Sequence, residues 1–181
     1  ERDVPVHLDG ARLFNAAVAH DAPAAEFVAP VDSVMCCLSK GLGAPVGSAL
    51  AGDAAFIDRA RRFRKMFGGG MRQAGILAAG ALYALEHHRD RLAEDHTSAR
   101  RLAEGLAGAA GLAVDPDAVE TNIVVVATTA VAAPDLVERL RAAGVLVLPR
   151  DAETFRAVTN LNVSADEIEE AVAVFAAVLA A

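Results

Sequence analysis

Two cysteines are all the chain has, and Cys36 and Cys37 are adjacent within an apolar run. Neighbouring thiols cannot build a disulfide framework, so two buried thiols in a reducing compartment are expected. No apolar run is both long enough and free enough of charge to cross a bilayer. No secretory leader precedes the first strand, so a cytoplasmic protein that leaves membranes alone is expected. Positive charge is scarce: 17 Lys and Arg face 24 Asp and Glu, a net charge of −7. That excludes the clustered cations by which proteins hold a nucleic-acid backbone. Arg59, Arg61, Arg62, Arg64 and Lys65 do gather, but among apolar residues, which suits a small anion or another subunit. Metal-ligand spacing is missing too, so no metal is expected. His20 and His96 stand alone, and His87 and His88 lie at a helix end beside Arg89, where a solvated face is expected. An initiator Met is also lacking. The chain opens at Glu1, three residues before an expected buried strand, which reads as a fragment of something longer.

What is present is apolar side chain in quantity. At 181 residues and 54% hydrophobic composition, the chain can fill a sizeable core, which excludes disorder. Val4 to Asp9 reads as a strand, Ala11 to about His20 as a helix, and Ser33 to Leu38 as a second strand. That order is a βαβ unit with parallel strands. Val46 to Ala51 returns after a short loop and must run antiparallel, giving a mostly parallel α/β sheet with one antiparallel strand. Asp53 is a good N-cap for a helix to about Lys65, and Gly68–Gly70 breaks the chain before a helix from Met71 to about Glu86. A long helical segment runs from Arg89 to about Ala109. The boundary is placed at its start, giving domains 1–88 and 89–181. The second is a small α+β domain: strand Asn122–Ala127, helix Pro134–Ala143, strand Val145–Leu148, strand Phe155–Leu161 and a last helix. Pro134 and Gly144 bracket the middle helix. Ser164-Ala165-Asp166-Glu167 is a capping box for the last, whose Ile168, Val172, Phe175 and Leu179 share one face.

Chemistry is expected at the carboxyl edge of the parallel pair, where ligands of open α/β sheets bind. Asp9 ends the first strand, Lys40 follows the second, and Arg12 lies three residues past Asp9. Pyridoxal phosphate needs such an assembly: an amine for its aldehyde, and a carboxylate to keep the pyridine nitrogen protonated. Glycines after Lys40 would let the backbone approach a ligand closely. Each residue alone has a plainer reading. A strand-end Asp is commonly a turn or cap residue, and Arg12 a solvated helix residue. His7 shares a face with Asp9 and is either supporting or merely packed. Spacing by itself does not name the cofactor.

Longer strings do more. His7-Leu8-Asp9-Gly10-Ala11-Arg12-Leu13-Phe14-Asn15-Ala16 resembles the pyridine-binding segment of low-specificity L-threonine aldolases, fold-type-I pyridoxal-phosphate enzymes with an aspartate-aminotransferase-like fold. Cys37-Leu38-Ser39-Lys40-Gly41-Leu42-Gly43-Ala44-Pro45-Val46-Gly47-Ser48 resembles their lysine-bearing segment. Arg64 to Gly75 resembles a third signature, and Phe155-Arg156-Ala157-Val158-Thr159-Asn160 a fourth. The resemblance implies that this is the C-terminal half of such an enzyme: the end of the large cofactor domain, then the small domain. It implies a catalytic Lys40 that condenses with pyridoxal 5'-phosphate, with Asp9 on the pyridinium nitrogen. Arg12 and Arg156 would hold the substrate carboxylate. Arg72, behind three glycines and near a helix start, would bind the cofactor phosphate or form an intersubunit salt bridge. Lys65 matches a family lysine near the site.

The implied reaction cleaves L-threonine or L-allo-threonine, a small amino-acid substrate, to glycine and acetaldehyde, in a homo-oligomer (dimer or tetramer). Such a role belongs to threonine catabolism and glycine biosynthesis. One departure stands after Arg156, where the family often has Val-Thr-His-Leu-Asp and this chain reads Val158-Thr159-Asn160-Leu161-Asn162. The family's preceding half, with its ring-stacking histidine, much of the phosphate cup and the proposed base, has no counterpart here, so the isolated chain is expected to be inactive. Two rivals stay open: another fold-type-I lyase or aminotransferase, and a non-catalytic remnant that only associates with partners. Arg156, within an apolar strand, is expected to be a buried guanidinium, which requires an anion.

Overall fold

The computed structural model describes residues 4–180. They form two compact units that divide between Leu92 and Ala93. The first contains β1 (His7–Gly10), α1 (Leu13–Ala19), α2 (Ala24–Val28), β2 (Ser33–Cys37), β3 (Ser48–Gly52), α3 (Ala54–Met66) and α4 (Gly75–His87). Its sheet has the order β1-β2-β3. β1 is parallel to β2 with Asp9 opposite Met35, and β3 is antiparallel to β2 with Ser48 opposite Cys37. The helices α1 and α2 supply the crossover that a parallel pair needs, so the expected topology is present.

β1 is shorter than expected, and of its four residues only Gly10 is buried. The Val6 carbonyl accepts from the Asp32 and Ser33 amides at 3.0 and 3.3 Å, and its own amide donates to Asp32 Oδ2 at 2.7 Å. These bonds close the entrance to the sheet instead of lengthening the ladder. Among the described residues β1 pairs only with β2, and His7 and Asp9 are exposed. Asp53 caps α3 as its sequence demands, with Oδ1 accepting from the Phe56 amide at 2.7 Å. α4 begins at Gly75 and not at Met71. Gly68 and Gln73 take left-handed backbone, φ 80° and 54°, and hold the intervening residues as a loop. A small core of Leu42, Ala44, Ala81, Ala84 and Leu92 ties the loop after β2 to α4.

The second unit carries most of α5 (Leu92–Leu106), then β4 (Leu112–Ala113), a 3-10 turn (Pro116–Ala118), β5 (Ile123–Thr128), α6 (Ala133–Ala142), β6 (Leu148–Pro149), β7 (Thr154–Val158) and α7 (Ala165–Ala180). The sheet order is β4-β5-β7-β6, antiparallel throughout. Val124, Val126, Phe155 and Ala157 alternate onto one face and pack with Leu136 and Leu140 of α6 and Ile168 and Phe175 of α7. The rings of Phe155 and Phe175 stack at 5.7 Å. The expected strand over Val145–Leu148 shrinks to two residues because the end of α6 takes up its start. Gly144, at φ 93°, donates to the Arg141 carbonyl at 3.1 Å, and Val145 donates to that of Leu140 at 2.9 Å. That is a Schellman ending, which needs glycine at its left-handed position. The capping box of α7 is closed both ways: the Ser164 amide donates to Glu167 Oε2 at 2.7 Å, and the Glu167 amide to Ser164 Oγ at 3.3 Å.

Candidate cofactor site

Parallel pairing puts the carboxyl ends of β1 and β2 on one edge; Asp9 is the penultimate residue of β1, and Arg12 and Lys40 follow the two strands. Asp9 is held by its own loop: Oδ1 accepts from the Ala11 amide at 3.1 Å. This Asx turn points the carboxylate along the chain and keeps it exposed. Arg12 is the N-cap of α1, half-buried, and its carbonyl accepts from the Ala16 amide at 3.1 Å. His7 is spoken for, with Nδ1 2.8 Å from Ser33 Oγ and its ring 6.3 Å from that of Phe56. It ties β1 to β2 and α3.

Lys40 stands on a tight turn. The Gly43 amide donates to the Lys40 carbonyl at 2.8 Å, and the Ala44 amide to that of Leu38 at 2.9 Å. Gly41, Leu42 and Ala44 are buried while Lys40 is exposed. Leu42, at 2% exposure, sits in the small core beneath. The turn is thus fastened by its apolar residues and offers its amine to solvent. A Cβ at Gly41 would lie 2.8 Å from Leu92 Cδ2 and 3.0 Å from Asn15 Oδ1, so a side chain here would have to push Leu92 or Asn15 aside.

The other expected residues are placed less directly. Arg72 is exposed in the loop between α3 and α4. Lys65 folds back over the same loop, since a Cβ at Gly70 would meet its Cδ at 3.0 Å and its Nζ at 3.7 Å. Arg156 lies in the second unit, and there the expectation of a buried guanidinium is wrong. Strand alternation turns Phe155 and Ala157 inward and Arg156 outward, opposite Val125 and Leu148, themselves 41% and 51% exposed. The segment after it is firmly seated. Thr159 Oγ1 donates to the Asp95 carbonyl at 2.6 Å, and Asn122 Nδ2 donates to the Thr159 carbonyl at 2.8 Å. Asn160 Oδ1 accepts from the Asn162 amide at 3.1 Å, so the departure from the family's usual residues makes a local turn into α7.

Sequence reasoning missed two residues. His88 was expected on a solvated face, but its Nδ1 lies 2.7 Å from the Leu42 carbonyl. Asn15 is 3% exposed within α1. A polar amide one turn after Arg12 in an otherwise apolar helix was the available signal for Asn15; nothing local marks His88.

Comparison with known proteins decides the family. The model for beta-eliminating lyases matches residues 1–129. The chain belongs to the beta-eliminating lyase family. It is 44% identical over 180 residues to the low specificity L-threonine aldolase of Escherichia coli strain K12, covering 99% of this chain and 53% of that protein. Low-specificity L-threonine aldolase 1 of Arabidopsis thaliana is 41% identical over 175 residues, with 95% and 49% covered. The chain therefore spans about half the length of these relatives. Among solved structures, a putative L-allo-threonine aldolase from Listeria monocytogenes superposes with TM-score 0.77 at 22% identity, over 97% of this chain and 52% of that one. An alanine–glyoxylate aminotransferase from Nostoc superposes with TM-score 0.63 at 16% identity, over 87% and 50%. The fold is the α/β fold type I that threonine aldolases and aminotransferases share. Members of this family are pyridoxal-phosphate enzymes. Among the described residues no helix is long and apolar enough to cross a membrane.

Proposed function

We propose that this chain is the lysine-bearing half of a pyridoxal-phosphate-dependent threonine aldolase, which cleaves L-threonine or L-allo-threonine to glycine and acetaldehyde. The observation that carries the reading is the common edge of β1 and β2, where an exposed Lys40 follows one strand and the Asp9 carboxylate stands near the end of the other. The residues fit the cofactor. Asp9 has one oxygen on the Ala11 amide, and its carboxylate would pair with a protonated pyridine nitrogen. Lys40 sits on a turn anchored from below, the place for an amine that must reach an aldehyde.

When bound, the cofactor supplies an electron sink for the charge left on Cα as the Cα–Cβ bond breaks. The Asp9 carboxylate keeps the facing nitrogen protonated, because an opposite charge nearby favours the cationic form. The Lys40 amine would hold the cofactor through its aldehyde. Arg12 and Arg156 grip the substrate carboxylate, whose two oxygens match the planar guanidinium fork. Arg72 holds the cofactor phosphate, from the same or a neighbouring subunit; Lys65, folded over the adjoining loop, adds positive charge there. Residues 1–88 belong to the large cofactor domain and 89–181 to the small one. We place the enzyme in the cytoplasm, in threonine catabolism and glycine formation, as a homo-oligomer, dimer or tetramer. The exposed Met66, Phe67, Met71 and Ile76 around α3 and α4, 64–85% exposed, support burial against further protein.

The family's own description favours one second reading, a β-eliminating lyase with the same cofactor. Full-length protein supplied with pyridoxal phosphate and L-threonine distinguishes the two. Stoichiometric glycine and acetaldehyde support the aldolase; ammonia and 2-oxobutanoate, with no acetaldehyde, would overturn it.

A further inference from the structure

Two polar side chains to which the proposed chemistry assigns nothing flank the turn that presents Lys40. On one side Asn15 of α1 lies against Gly41, at the 3.0 Å already noted for a Cβ there. On the other, the ring of His88 reaches the Leu42 carbonyl at 2.7 Å from the C-cap of α4. A carbonyl oxygen only accepts, so Nδ1 carries the proton and donates. His88 is itself fixed: its amide donates to the Ala84 carbonyl at 2.9 Å, and its ring stands perpendicular to that of Tyr83 with centroids 5.4 Å apart. His87, with a side chain 55% exposed, packs on the same Tyr83 ring at 4.3 Å and lies 3.9 Å from Glu86 Oε2.

Leu42 is where this bond has most leverage. Its side chain is locked in the core, its carbonyl is held by His88, and the Lys40 carbonyl two residues earlier closes the same turn through Gly43. Releasing the Leu42 carbonyl frees the peptide plane between Leu42 and Gly43, and with it the hydrogen bond that orients Lys40. We propose that His88 is a positioning residue for Lys40, acting through its Nδ1–H bond to the Leu42 carbonyl, with Asn15 bracing the turn at Gly41. The ring takes no part in proton transfer. Nδ1 is the donor in this tautomer.

The proposal rests on Lys40 as the attachment lysine, and the test keeps the two apart. Full-length wild type and the variants His88→Ala, His88→Asn and His87→Ala are titrated with pyridoxal phosphate, reduced with borohydride and scored for label on Lys40 by mass spectrometry. Thermal unfolding of each cofactor-free protein is recorded alongside. Asn carries its Nδ2–H the same number of bonds from Cα as Nδ1 of His, so it can replace the donor. The half-saturating cofactor concentration for Lys40 labelling should rise about 5- to 10-fold in His88→Ala, the effect of one lost hydrogen bond. It should return to within about twofold of wild type in His88→Asn and stay unchanged in His87→Ala.

Wild-type half-saturation in His88→Ala, even with a lowered melting temperature, would make His88 merely structural and overturn the proposal. A folded His88→Asn that labels as poorly as His88→Ala would overturn it as well. If His88→Ala does not fold, His88→Asn decides: wild-type labelling supports the proposal, and weakened labelling in a folded protein refutes it. Wild type unlabelled at Lys40 would instead bring down the functional reading, and this proposal with it.

Discussion

Replacing Gly10 with alanine tests how tightly the carboxyl edge of the β1–β2 pair is built. The new Cβ would lie 2.6 Å from the Met35 carbonyl oxygen, 3.1 Å from Val34 Cγ2 and 3.3 Å from Leu13 Cβ. The first of these contacts is backbone in the neighbouring strand, so no side-chain rotation relieves it. β1 and β2 must separate by about 0.5 Å or more, which belongs with overpacking costs of about 1–3 kcal/mol. Gly10 has no positive φ. Alanine therefore also removes unfolded-state freedom, which returns about 0.4–1 kcal/mol. The clash wins, with a net loss of about 1–2 kcal/mol, or roughly 2–8 °C in melting temperature. Because Asp9 adjoins Gly10 and Lys40 follows β2, the same displacement moves carboxylate and amine apart. A misplacement of that order costs up to roughly 100-fold in turnover. Gly75→Ala is the control, since a Cβ there meets nothing within 4 Å. Full-length Gly10→Ala with wild-type melting temperature and turnover would refute the packing argument.

Asp9→Asn should keep bound cofactor but lose turnover roughly 10- to 1000-fold, the range set by a pKa effect of one to three units on the facing nitrogen; steady-state rates with the visible spectrum check it. Arg156→Lys should raise KM for threonine and lower kcat, together worth about 1.5–3 kcal/mol for a charge-assisted bond made by a poorer partner; unchanged kinetics would remove Arg156 from the substrate. Glu167 is held below its ordinary value of 4.5, chiefly by the Ser164 amide and then by the Ser164 hydroxyl. A depressed carboxyl stabilises the fold above its unfolded value and loses that contribution as pH falls through its folded one. The urea midpoint of wild type should therefore exceed that of Glu167→Gln near pH 7, with the gap closing as pH falls below the ordinary value of 4.5. His96 lies below its ordinary 6.5 because of burial, against the opposing pull of Asp95. Its protonation should weaken the fold as pH drops below about 6.5, and His96→Gln should flatten that part of the unfolding profile.

Much of this was legible in the chain. The βαβ reading, the return strand, the Asp53 cap, the Ser164 capping box and the Gly144 ending all rest on local chemistry, and local chemistry is what sequence states directly. Strand ends were less legible. Val145 looks like strand, but the Schellman ending of α6 takes its amide, and Val4–Val6 looks like strand although Asp32 engages Val6. α2, β4 and the 3-10 turn are too short to leave a periodic signature. The placing of Asp9, Arg12 and Lys40 at one sheet edge was readable because the parallel pairing of β1 and β2 brings their carboxyl ends together. His88 was not, since its partner is a backbone carbonyl 46 residues away. The burial of Arg156 was misjudged because an apolar neighbourhood in sequence does not say which of two faces a residue takes; alternation beside Phe155 sets it outward.

The central claim is that Lys40 carries the cofactor. Full-length protein incubated with pyridoxal phosphate, reduced with borohydride and digested should give one modified lysine by mass spectrometry, in the peptide containing Ser39-Lys40-Gly41. Label on Lys65, or no lysine labelled while the protein is folded and cofactor is present, would contradict the assignment of this site.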